Sequence, residues 1–190
     1  MSTPEENPRG RRADAVRNRQ LALHAATQLL AEPGGTLTVE AIAKKAGLGA
    51  ATVVRAFGGK EALLDAAVAG LLAPLVERAR QLLEQTAPEQ ALRTFLAELI
   101  AFQSAHHAIS RQLDGLEAPA TTALRQQLAE AMEEMIVGAR RDGAIRTDLD
   151  TAVLVTLVGR TAFAIAQDQP ASEGIVHAYL AVLMDGLRPQ

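Results

Sequence analysis

The chain has no cysteine, no tryptophan, and only one tyrosine and four phenylalanines in 190 residues. Without cysteine, disulfide bridges and thiolate metal sites are excluded, which suits a reducing compartment. With aromatics at 3%, the 48% apolar content rests on aliphatic side chains. Alanine, leucine, arginine, glutamate and glutamine dominate, and these are helix formers, so composition points to an all-α fold. No run is long and apolar enough for a bilayer. The longest, "TAVLVTLVGRTAFAIA", is interrupted by Arg160, so no membrane partner is expected. The opening "MSTPEENPRGRRADAVRNR" holds no signal-peptide-like apolar stretch, and residues 1–12 are expected to be a disordered basic tail on a cytoplasmic protein.

Catalytic patterns are missing as well. Ser104 and His106 share a helix but lie on different sides of it, and "GLG" at 47–49 has no strand before it to make a phosphate loop. His106 and His107 are adjacent, so on a helix they point about 100° apart and cannot chelate one metal. Gln103 and Ser110 stand where a supporting carboxylate would be needed. No enzyme activity, cofactor or metal is expected.

What is present is a charge asymmetry and a motif. Residues 9–60 hold nine Lys/Arg against Asp14, Glu32 and Glu40, a net of +6. Residues 61–190 hold ten Lys/Arg against seventeen Asp/Glu, a net of −7. A basic N-terminal third on an acidic body suggests that the first part meets a polyanion, although a solvated helix face would give the same count.

The periodicity predicts a first helix over 13–31, with Val16, Gln20, Leu23, Thr27 and Leu30 in its stripe and Leu21, Ala25 and Leu29 widening it. "EPGG" at 32–35 ends it. Thr38 is placed to cap a second helix over 39–46 that buries Val39, Ile42, Ala43 and Ala46. Gly47 can take the left-handed conformation that closes this helix, and Leu48 plugs the core. A third helix over 50–56 turns Val53 and Phe57 inward, and "GGK" at 58–60 makes another turn. Further helices are expected over 60–84, bent near Pro74, over 88–107, and briefly over 107–115. A long amphipathic helix over 118–142 runs through Leu124, Leu128, Met132, Met135 and Val137 and is closed by Gly143. Two apolar helices follow over 150–168 and 171–187.

Ala43, Gly47 and Val53 at this spacing form a helix-turn-helix. From "RNRQLALHAATQLLAE" through "LTVEAIAKKAGLGAATVVRAFGGKEALLDAAV", residues 17–68 resemble the N-terminal domain of the TetR family of bacterial transcriptional repressors. "RRDGAIRTDLD" before two apolar helices resembles the C-terminal region of many members. The resemblance implies a helix-turn-helix DNA-binding domain over 13–60 and a helical ligand-binding and dimerisation domain over 61–190. It also implies a homodimer on a near-palindromic double-stranded operator, released when a small ligand binds.

The presumed reading helix departs from the family. The tyrosine and histidine that usually flank its arginine are Val54 and Ala56, the usual turn serine is Gly49, and the proline-serine pair before the lysine is "GG". Thr38, Lys44, Thr52, Arg55 and Lys60 remain to hold phosphates, together with backbone N–H groups at helix starts. Ala50, Ala51 and Thr52 can touch thymine methyls, and Gly49 and Val54 complete the face expected on DNA. The same departures leave a second reading open: a ligand sensor or interaction protein whose head no longer binds an operator.

In the body, Phe102, His106, Met132, Met135 and Phe163 are the candidate lining of a pocket for an apolar or amphipathic ligand. Ordinary core packing accounts for the methionines and phenylalanines equally well. The last two helices carry more Val, Leu, Ile and Phe than a monomer surface tolerates. Val155 and Leu183 are therefore expected in a four-helix dimer interface, where Gly159 and Ala164 permit close approach.

Overall fold

The structure, a computed structural model, describes residues 8–31, 37–106, 118–167 and 172–189. Among these residues there are eight helices and no strand: α1 (Pro8–Ala31), α2 (Val39–Ala46), α3 (Ala50–Phe57), α4 (Lys60–Gln85), α5 (Pro88–Ala105), α6 (Pro119–Arg141), α7 (Thr151–Gln167) and α8 (Glu173–Leu187). The short helix expected over 107–115 and the "EPGG" turn lie outside the described residues. No described helix is long and apolar enough to cross a membrane.

The chain divides into two compact units. The first is Met1–Leu71 with Gln112–Thr121, and the second is Leu72–Arg111 with Thr122–Gln190. The division falls between Leu71 and Leu72, inside α4. The first turns of α4 bury Leu63, Leu64, Ala67 and Val68, and Gly70 sits close to Thr27 of α1.

In the first unit α1 packs on α2 and α3, which also pack on each other. α1 begins at Pro8, so the stretch expected to be disordered through residue 12 is helical from that point. Proline suits the first helical position, and the arginines after it are good helix formers. The expected stripe is also corrected. The buried residues of α1 are Ala22, Ala25, Ala26 and Leu30, while Val16 is 58% exposed and Leu21 and Gln20 are exposed. At about 1.5 Å per residue, 24-residue α1 is roughly three times as long as its eight-residue partners and overhangs them at its N-terminal end.

Small residues let α2 and α3 approach α1 closely. Ile42 and Val53 are fully buried, with Val39, Ala43 and Phe57 beside them. Each such side chain removed from water stabilises the unit by roughly 1.5–3 kcal/mol, less for alanine. Asp65 of α4 closes the first turn of α6. Its carboxylate accepts from the backbone N–H of Ala120 (2.9 Å) and Thr121 (2.8 Å), two of the donors a helix start leaves without partners.

The second unit is built around α5, which packs against α7 and α8. Phe95, Leu96 and Ile100 of α5, Met135 and Ile136 of α6 and Val158 of α7 are fully buried. Val137, expected in the stripe of α6, is 40% exposed; it lies about 100° from Ile136 and on the far side from Met135. α4 continues through Pro74, which is exposed. Gly138 is required where α5 meets α6, since a Cβ there would lie 2.8 Å from Cγ of Pro88. Arg78 of α4 grips both carboxylate oxygens of Glu98 on α5 at 3.0–3.1 Å.

Two arginines organise the turn between α6 and α7. Arg140 donates to the carbonyls of Arg146 (3.0 Å) and Leu149 (2.7 Å) and to the hydroxyl of Thr151. Arg146 pairs with Asp148 (2.6 Å) and donates through Nη1 to the Gly186 carbonyl (3.2 Å), while its backbone N–H reaches Leu187 (2.7 Å). Asp150 then caps α7 by accepting from the N–H groups of Ala152 and Val153.

Candidate functional site

The α2–turn–α3 segment follows from three local devices. Thr38 has extended backbone angles, and its hydroxyl accepts from the Ala41 N–H at 3.1 Å, capping α2. Lys44 and Lys45 lie in the last turn of α2, where the helix dipole favours cations. Gly47 takes φ 67°, a left-handed angle that costs a residue with a Cβ, and Leu48 donates back to the Ala43 carbonyl at 2.9 Å. The chain thereby turns sharply into α3.

α3 is weak by its own composition. Thr52, Val53 and Val54 are β-branched, and Gly49 caps the helix without a side-chain hydrogen bond. It holds together by packing, through buried Val53 and Phe57. The residues expected to face DNA are mostly exposed. Thr38, Lys44, Gly49, Ala50, Ala51, Arg55 and Lys60 are exposed, and Thr52 and Val54 are half-buried. Arg55 donates Nε to the Ala51 carbonyl at 3.2 Å, which lays its side chain along α3. Thr38 uses its oxygen as an acceptor, so its hydroxyl hydrogen can still be donated. The surface is one of methyl groups edged by cations, with two N–H-rich helix starts close in sequence.

The expected pocket residues are brought together only in part. Phe102 of α5 and His106, which follows the last residue of that helix, are half-buried, with ring centroids 4.7 Å apart. Met132 and Met135 are buried in α6, and Met132 lies against Gly159 of α7. Phe163 is 42% exposed on α7. Gly159, expected to face a second subunit, therefore faces α6. A cleft of about 470 Å³ lies elsewhere, between α5 and α8, lined by Ala97, Ile100, Ala101, Val176, His177 and Leu180 among others. None of the five expected pocket residues lines it. The expected interface residues Val155 and Leu183 are half-buried, whereas their neighbours Val153, Leu157 and Val182 are exposed.

With this geometry in place, comparison with known proteins gives a consistent result. Residues 22–67 match the bacterial regulatory proteins of the tetR family, and residues 87–189 match the C-terminal domain of SbtR-like transcriptional regulators. The chain belongs to the TetR family. A TetR transcription regulatory protein from Mycobacterium vanbaalenii is 30% identical over 93% of this chain and 98% of its own, with a TM-score of 0.63. A TetR transcriptional regulator from Streptomyces coelicolor is 27% identical over 90% and 99%, with a TM-score of 0.65. RolR, solved with its ligand resorcinol, shares the fold at 17% identity over 94% and 91%, with a TM-score of 0.70. No curated protein matches the chain.

In this TetR-family head, sequence reasoning missed one polar contact. Arg19 of α1 donates Nη1 to the Ala56 carbonyl at 2.8 Å, and its guanidinium lies 4.1 Å from the centre of the Phe57 ring. Nothing in the spacing joins two positions 37 residues apart, so only the packed structure pairs them.

Proposed function

We propose that this TetR-family regulator works in the cytoplasm as a homodimeric repressor on a near-palindromic operator, with α3 in the major groove. The observation that carries the reading is the capped α2, the left-handed Gly47 and the outward face of α3, where Ala50, Ala51 and Arg55 meet solvent together. Lys44, Arg55, Lys60 and the Thr38 hydroxyl hold phosphates, as do the N–H groups at the start of α3, which no side chain of its cap occupies. The alanine methyls contact thymine methyls, a weakly discriminating readout. Two copies pair through α7 and α8, and their two-fold symmetry is matched by the symmetry of the operator.

Release follows when a small apolar or amphipathic ligand enters the body. Phe102, His106, Met132, Met135 and Phe163 are the proposed lining, and RolR bound to resorcinol is a protein of this fold with a small aromatic ligand.

Selection from a pool of random duplexes tests the reading. The wild type should enrich a near-palindrome. Ala51→Glu, which adds a carboxylate on the exposed face without disturbing the core, should weaken binding to that duplex roughly 100-fold through repulsion by the phosphates. If the wild type enriches nothing, the sensor with a non-binding head, suggested by Val54 and Ala56, takes its place. If Ala51→Glu binds as well as wild type, α3 is not the reader.

A further inference from the structure

We propose that Arg19 is a positioning residue for the reading helix, acting through the C-terminal end of α3 rather than through DNA. The proposal rests on the reading of α3 as the groove-facing helix. α3 has eight residues, three of them β-branched in succession, and no side-chain cap at Gly49. Its end is therefore the place where an outside contact can fix it. The last turn of a helix leaves carbonyl oxygens without partners and carries the negative end of the dipole. Arg19 supplies a cation and an N–H donor there, to Ala56 at 2.8 Å. Its planar guanidinium also lies over Phe57, the aromatic that anchors α3 in the core, at 4.1 Å from the ring centre. Beyond Phe57 the chain turns through Gly58 at φ 81° into α4, so Ala56 and Phe57 are the last residues of α3 on which a contact from α1 can act.

One residue of α1 thus fixes both the backbone and the anchoring ring at one end of α3. Ala50, Ala51 and Arg55 belong to the same two-turn rod, so a tilt at its end displaces all of them against the bases. Phosphate contacts made by Lys44 and Lys60, which lie outside α3, are not displaced in this way. The consequence is a separation between sequence-selective and general binding. A lysine at 19 keeps the charge but loses the planar stack and the rigid fork of donors.

The test measures affinity against salt for wild type, Arg19→Lys and Arg19→Ala, on the selected duplex and on a scrambled duplex of the same composition. Arg19→Lys should weaken the selected duplex about tenfold, the scale of one hydrogen bond and one cation–π contact, and leave scrambled-duplex affinity and both salt slopes as in wild type. If Arg19→Ala weakens both duplexes together and flattens the slope by about two per dimer, Arg19 is a phosphate contact and the proposal falls. It also falls if neither affinity changes. Should Arg19→Ala not fold, Arg19→Lys still decides the matter. Amide hydrogen exchange of the DNA-free protein provides a second measurement. Arg19→Lys should speed exchange in the last turn of α3 about tenfold over that in α2. If the wild type selects no duplex, the function reading has failed, whereas equal exchange in α2 and α3 overturns the clamp itself.

Discussion

The outward face of α3 carries alanine methyls and one arginine, whereas α7 and α8 leave far larger side chains in water. Val153 and Leu157 are about half exposed, Phe163 is 42% exposed, Ile175 45% and Val182 74%. The difference lies in the faces and not in how the helix ends are held. In the head, directed polar contacts fix helix ends: Thr38 on α2, Arg19 on α3, Asp65 on α6. In α7 and α8 such contacts also cap the helix starts, through Asp150 and Ser172, and gather at the turn around Arg140 and Arg146 and at Thr161, which hydrogen-bonds Tyr179 at 2.8 Å, while large apolar side chains on the helix faces stay exposed. A face of small methyls loses little in water and suits a partner that brings its own charge. A face of valine, leucine and phenylalanine loses much and suits a second copy of itself.

The most damaging change to this contrast is a charge on the apolar face. Leu157→Asp places a carboxylate where the proposed dimer would bury it, yet on a position 52% exposed in the single chain, so folding should be spared. Dimer dissociation should rise by about 100-fold or more, an effect of roughly 3 kcal/mol, read by sedimentation at micromolar concentration. Leu157 and Val182 are better probes than Val155 or Leu183, which are half-buried in their own subunit. A wild type that sediments as a monomer at that concentration removes the basis for treating the two surfaces differently.

A moderate effect is expected from Asp65→Asn, which removes a directed contact of the head. Burial raises the Asp65 pKa, but hydrogen bonds from the Thr121 side chain and backbone and from the Ala120 N–H outweigh it, leaving the carboxyl below its ordinary 3.8. Asparagine offers one acceptor oxygen and turns an amide donor toward the other N–H, at a cost of about 1–2 kcal/mol near neutral pH. The sign follows from the depressed pKa. The contribution is fully present above the unfolded value and is lost as pH falls through the folded one. Urea unfolding of wild type and variant at pH 7, 5 and 3 should therefore show a constant gap at the first two and a narrower one at the last. A gap unchanged at pH 3 means the charge is not what closes α6.

The parts of this molecule legible in its sequence are those fixed by neighbours along the chain. The cap at Thr38, the left-handed turn at Gly47 and the inward pair Val53 and Phe57 depend on residues within a few positions of one another, and the structure has all of them. The stripe of α1 was less legible because its core contacts are alanines. Val16 looked like a core residue by spacing but lies on the overhanging end, and no local rule sets how long the partner helices will be. The Arg19 contact with Ala56 spans 37 positions and has no periodic signature.

The smallest expected effect lies at the other end of α3 and separates the two means of holding a helix. Gly49 has φ −75° and ψ 143°, extended angles that any residue adopts and that an N-cap requires. A Cβ added there would meet only the Thr52 hydroxyl oxygen, at an ordinary 3.7 Å. Gly49→Ser should fit without strain and supply the acceptor α3 lacks, raising stability by a few tenths of a kcal/mol and the melting temperature by about 1 °C. Gly49→Ala is the necessary control, because any side chain in place of glycine also restricts the unfolded chain. Alanine offers no acceptor and is a poor N-cap, so it should fall below serine by about 0.5–1 kcal/mol. If alanine stabilises as much as serine, the gain comes from the unfolded state. The start of α3 then needs no cap, and its C-terminal contact with Arg19 carries more of the helix than the N-terminal end does.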